Sequence, residues 1–228
     1  MKKHFIRVLI YLFLISGWMT GTAQNSALQL SPLSKAEQKE LRKLPRLQLP
    51  EQYRNKNLPA VVDNSTQPYM REAFQQSGLS CGQAAGVAYN YTYEIDRLRD
   101  LPADINDNLY PTHFTWNWMH GGYGWYGVSY LHSFQVLRWC GNVNVTDYGG
   151  SLAAGGADRW MSGYDSYYNG MSNRISSVYQ INVGTPEGLD IFKHWINDHL
   201  DGSDVGGVGS FYSQYMSATN TLPAGTPE

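Results

Sequence analysis

The run from Cys81 to about Arg99 constrains this chain more than any other stretch. Ala84, Val87, Ala88, Tyr91, Ile95 and Leu98 fall at helical spacing, and no proline intervenes before Pro102. Small residues crowd its first half: Gly82, Ala84, Ala85, Gly86 and Ala88. A helix with so little side-chain bulk is expected to pack closely, as a central core helix does. Its first turn then holds Cys81 at the edge of that core, directly after the turn Ser77-Gly78-Leu79-Ser80. Helix N-termini carry partial positive charge and free N–H donors, which favour thiolate over thiol. Gln75 lies six residues before Cys81, and a glutamine amide there can donate a hydrogen bond to a developing oxyanion. Cys81 is therefore the candidate nucleophile and Gln75 the candidate oxyanion donor.

Other elements follow in chain order. Ser34-Lys35-Ala36-Glu37 fits a capping box and predicts a short helix from about Lys35 to Leu44. Helices are also expected around Thr112 to Met119 and over Ser129 to Cys140, the latter stopped by Gly141. Ile175, Ser177, Tyr179, Ile181 and Val183 alternate as a strand would. Thr185-Pro186-Glu187 starts a helix with apolar face Leu189, Phe192, Ile196 and Leu200, and Val205 to Tyr212 reads as a glycine-loosened strand. Helices first and strands later predict an α+β fold.

Met1 to Ala23 has the form of a secretory leader. Lys2, Lys3 and Arg7 precede an apolar run, Val8 to Trp18, too short to span a bilayer comfortably, and Gly21-Thr22-Ala23 supplies small residues for cleavage. The expectation is a protein secreted or held at the cell surface, with no stable membrane insertion once the leader is removed. Residues 24–57 read as a polar linker or a short pro-segment, and residues 58–228 as the folded domain. A net charge of −2 excludes an electrostatic case for nucleic acid. Two cysteines, Cys81 and Cys140, are present. Export permits a disulfide between them, but Cys81 follows a flexible turn whereas Cys140 ends an amphipathic helix as a small hydrophobe.

Several of these residues resemble the papain-like cysteine peptidase superfamily, in an exported bacterial branch. Leu58-Pro59 with Asp63 looks like the start of its catalytic domains, and Gln75 has the spacing of its oxyanion glutamine. Glu94 resembles a glutamate of its central helix, Tyr110-Pro111 its second helical segment, and Glu187 to Tyr215 the stretch before its histidine. Cys81-Gly82-Gln83-Ala84 is also similar to the start of the bacteriocin-processing peptidase domains of ABC transporters. The resemblance implies an α+β fold with a central N-terminal helix, a helical half and an antiparallel β half. It further implies thiol hydrolysis of peptide bonds, no cofactor, and a peptide or protein substrate. Two departures qualify it. In a family signature with two cysteines, the second is the nucleophile, and an ungapped alignment puts Ala84 there, with Glu94 then at the family's distance. The family's histidine and asparagine also follow the last matched strand, so a domain incomplete at its C-terminal end is expected. The alternative is a catalytically inactive module that binds glycan or protein at the cell surface.

The remaining constellations carry less. His113 and His120 with Asp104 or Asp107 match no zinc spacing, and no metal site is expected. Asp104-Ile105-Asn106-Asp107-Asn108 lacks the glycine and final glutamate of a calcium loop. Trp116, Trp125 and Tyr126 belong to an aromatic, glycine-rich stretch that would wall a substrate cleft.

Overall fold

The computed structural model describes residues 33–119, 127–149 and 164–211, all of which fall in the unit Leu33–Tyr212. Helix α1 (Lys35–Lys43) opens it. The capping box forms as the sequence predicts: Ser34 Oγ accepts from the Glu37 amide, and the Glu37 carboxylate accepts from the Ser34 amide. Two 3₁₀ turns, Glu51–Tyr53 and Asn64–Thr66, lead to the central helix. That helix is continuous but not uniform. It begins as α2 (Cys81–Gln83), widens into a π-helix (Ala84–Tyr91), and returns to α-geometry as α3 (Thr92–Arg99). Then come α4 (Thr112–Asn117), α5 (Tyr130–Trp139), α6 (Val145–Tyr148), α7 (Tyr164–Met171) and α8 (Pro186–Asp198).

The small residues of the central helix serve the close approach they predicted. A Cβ on Gly82 would lie 2.7 Å from the Val128 carbonyl, and one on Gly86 would lie 2.8 Å from Tyr130 Cβ. Helix α5 therefore runs directly over the start of the central helix. Val87, Tyr91 and Ile95 join Tyr110 and Leu137 in the main apolar cluster. Phe114, Val136, Val143 and Tyr148 form a second cluster, against which Cys140 packs.

The expected antiparallel β half is absent from the described residues: 47% of them are helical, 1% are in strand pairing, and no sheet forms. The α+β assignment is thus corrected. Its physical basis is visible in both stretches read as strands. Between Ile175 and Val183 no strand forms, the chain bends at Ser176 and turns at Val183, and one isolated parallel bridge joins Arg46 to Gln180. Between Gly206 and Val208 the backbone is held mostly by side chains instead of a neighbouring strand, with the Gly207 amide donating to the Trp195 carbonyl (2.8 Å). Tyr93 Oη donates to the Gly206 carbonyl (2.8 Å), Asn64 Nδ2 to that of Gly207 (2.9 Å) and Trp195 Nε1 to that of Val208 (2.8 Å). The Val208 amide donates to Glu94 Oε1 (3.1 Å). Gly206 and Gly207 are needed because a Cβ on either would collide, at Gly206 with the Ile196 carbonyl oxygen and at Gly207 with the Trp195 ring. The glycines read as loosening a strand instead let a loop lie against α3 and α8. No helix among the described residues is long and apolar enough to cross a membrane.

Candidate active site around Cys81

Cys81 is the first residue of the central helix and its thiol is exposed and free. Cys140 is half-buried and also free, so the two are not joined. The turn before Cys81 is clamped from below. Gly78 adopts φ +64° and sits on the ring of Trp116, which is fully buried. Any side chain at Gly78 would meet both the strain of a positive φ and that ring. Ser80 is buried and its hydroxyl donates back to the Ser77 carbonyl (2.8 Å) instead of capping the helix. One helical turn is closed behind it by the Ala84 amide donating to the Ser80 carbonyl (2.8 Å). Beside the thiol, the buried Gln83 amide donates to the Val128 carbonyl (2.9 Å) and Ser133 Oγ (3.0 Å), tying the helix start to α5.

The other sequence-predicted residues are distributed unevenly around this turn. Gln75 is exposed and its side chain makes no hydrogen bond among the described residues. Trp116 is a wedge under the turn, with its ring edge-on to His113 at 4.9 Å, so the Cys81 turn rests on it. Trp125 and Tyr126 lie outside the described residues. Ala84 is half-buried in the π-helical stretch.

No described imidazole is hydrogen-bonded to Cys81. His113 is buried, with Nδ1 2.8 Å from Thr112 Oγ1. His194 is buried with Nδ1 3.4 Å from Asp198 Oδ2. Burial by itself would raise the Asp198 carboxyl, but hydrogen bonds from Lys56 and His194 hold it below the usual range. His199 forms the tightest polar contact of the set, Nε2 to Glu94 Oε2 at 2.7 Å, with its ring over Trp195 at 3.9 Å between centroids. Its other nitrogen lies 3.6 Å from Asp201, which Arg97 also reaches at 3.4 Å. This is the most base-like arrangement among the described residues, and helical periodicity does not signal it. It is nevertheless far from the thiol: Glu94 is thirteen residues along the same helix, or roughly 15–20 Å, its α-helical turns rising about 1.5 Å per residue and its π-helical turns less. Cys81 and His199 do not form one site.

The chain matches no family model, no curated protein and no solved structure.

Proposed function

We propose that Cys81 is the nucleophile of an exported thiol hydrolase acting on peptide bonds. The observation that carries this reading is the position of the thiol. It is exposed, unpaired and fixed at the first residue of a core helix, on a turn held by Trp116 below and Gln83 beside it. A nucleophile needs reach towards substrate and a rigid mount, and this turn supplies both. The Cys81 sulfur adds to the substrate carbonyl carbon as a thiolate. The amine leaves with a proton from a general acid, and water hydrolyses the resulting thioester, returning the thiol. Exposed Gln75, on the chain entering the turn, is the side chain assigned to the carbonyl oxygen as it gains charge.

The test is labelling of the folded protein with a peptidyl acyloxymethyl ketone, followed by mass mapping of the two cysteines. Cys81 is expected to react well ahead of Cys140, and peptide hydrolysis is expected to vanish in Cys81→Ser. Equal, sluggish labelling of both thiols would refute the assignment.

A further inference from the structure

At the opposite end of the central helix from Cys81, a cavity of about 280 Å³ opens beside Arg99. Its lining comes from separate parts of the chain: Arg99 at the end of α3, Asp107 from the following loop, Asn144 and Asp147 at α6, and Tyr168 and Asn169 on α7. That volume is at the small end for ligand pockets and suits a molecule of about one ring. Several of these groups are held in place. Arg99 donates to Tyr110 Oη (3.1 Å) and to the Ser172 carbonyl (3.2 Å). Asn144 Oδ1 accepts from the Asp147 amide (2.7 Å), and Asp107 accepts from Thr146. The side chains of Asp147, Tyr168 and Asn169 make no hydrogen bond among the described residues. Tyr168 also stacks on Tyr164, with centroids 5.7 Å apart and planes at 23°, and both rings are largely exposed.

The lining chemistry selects among ligand classes. Two carboxylates disfavour a phosphate or another anion, while a guanidinium fixed among them disfavours a metal cation. Interleaved acceptors (Asp107, Asp147) and donors (Arg99, amide nitrogens of Asn144 and Asn169) suit hydroxyl groups, each of which both donates and accepts. An exposed aromatic face next to them suits the C–H face of a pyranose. We propose that this cavity binds a neutral sugar ring, with Tyr168 as its stacking platform. The site is separate from Cys81 and does not rest on the thiol reading.

Saturation-transfer NMR on the full chain tests this, using methyl glycosides and short neutral oligosaccharides of glucose, mannose, galactose and N-acetylglucosamine. Inorganic phosphate and calcium serve as competitors. At least one sugar is expected to receive saturation. Asn169→Ala and Tyr168→Ala should each weaken that ligand by about tenfold, while Cys81→Ser leaves it unchanged. Both substituted positions are exposed, and Asp147→Asn repeats the test with side-chain shape retained should a truncation unfold the chain. The proposal is overturned by no saturation for any sugar at about 10 mM, by binding that survives all three substitutions, or by phosphate or calcium displacing the sugar as the tighter ligand.

Discussion

Replacing Asp96 by asparagine should convert a pH-sensitive stability into a flatter one. Asp96 lies on α3, 1% exposed, and neither carboxylate oxygen has a hydrogen-bond partner among the described residues. Burial, opposed only in part by the charge of Arg99, pushes its carboxyl up to about 7. In the unfolded chain the same group titrates near its ordinary value of about 3.9. Between these values the folded state retains a proton that the unfolded state has released. Stability therefore falls as pH rises from about 4 to about 7, and the loss is complete above that. A difference of about 3 pKa units at 1.36 kcal/mol each amounts to about 4 kcal/mol. That is a large share of the 5–15 kcal/mol, roughly, that holds a domain together. Asparagine cannot ionise, so this slope disappears, although its unpartnered amide adds a pH-independent cost of about 1–3 kcal/mol. Urea unfolding of both proteins across the range measures it. The stability difference, variant minus wild type, should grow by about 4 kcal/mol from acid to neutral pH. Asp198 and Asp201 are held below the usual carboxylate range, so their stabilisation is lost in the other direction, as pH falls. Both proteins carry them, and they cancel in the difference. A difference that stays constant with pH would refute the reasoning.

The remaining predictions are local. Unfolded, unreduced protein should present two free thiols to a thiol-counting reagent, and a lower count would show that Cys81 and Cys140 are joined after all. Glu94→Gln replaces the carboxylate that contacts His199 and accepts from the Val208 amide. It should cost about 1–3 kcal/mol and speed hydrogen exchange at Val208; unchanged protection there would count against the anchor. Gly82→Ala puts a methyl 2.7 Å from the Val128 carbonyl and should cost about 1–3 kcal/mol, read as a lower thermal midpoint; an unaltered midpoint would mean that α5 yields freely.

Local signals in the sequence were read well where short-range chemistry decides the outcome. The Ser34/Glu37 capping box formed, and Thr185 caps α8 with Pro186 in its first turn. Gly141, read as the stop for the helix ending at Cys140, takes a positive φ of +71° just beyond it. Side-chain facing along the central helix was read less well, and the π segment explains why. Regular α-helical spacing puts Leu98 on the apolar face with Ala84, Val87, Ala88, Tyr91 and Ile95. In the structure Leu98 is 80% exposed, whereas Thr92 and Asp96 are buried. A π-helix turns less per residue than an α-helix, so every position after it is rotated relative to the α-helical expectation. Nothing in the Ala-Ala-Gly-Val-Ala run signals that change of phase. The strand assignments failed for a different reason: their backbone groups find isolated partners instead of a continuous ladder, Gln180 with Pro45 and Leu47, and Gly206 to Val208 largely with side chains.

The position of Glu94 bears on which residue, Cys81 or Ala84, would hold the proposed nucleophile position. Its distance from Ala84 was the sequence feature favouring the alignment that leaves no thiol there. The structure gives Glu94 a separate role, because one oxygen contacts His199 and the other accepts from Val208, pinning residues 199–208 to the central helix. An anchor of this kind fixes Glu94 relative to α8 and the loop after it, not relative to the first turn of its own helix. Its spacing from that turn therefore carries no weight for the proposed reacting group, roughly 15–20 Å away. Gln75 differs in that it lies on the segment entering the Cys81 turn. With the glutamate removed from the comparison, the glutamine spacing and the exposed thiol remain as the support for the proposal that Cys81 is the nucleophile.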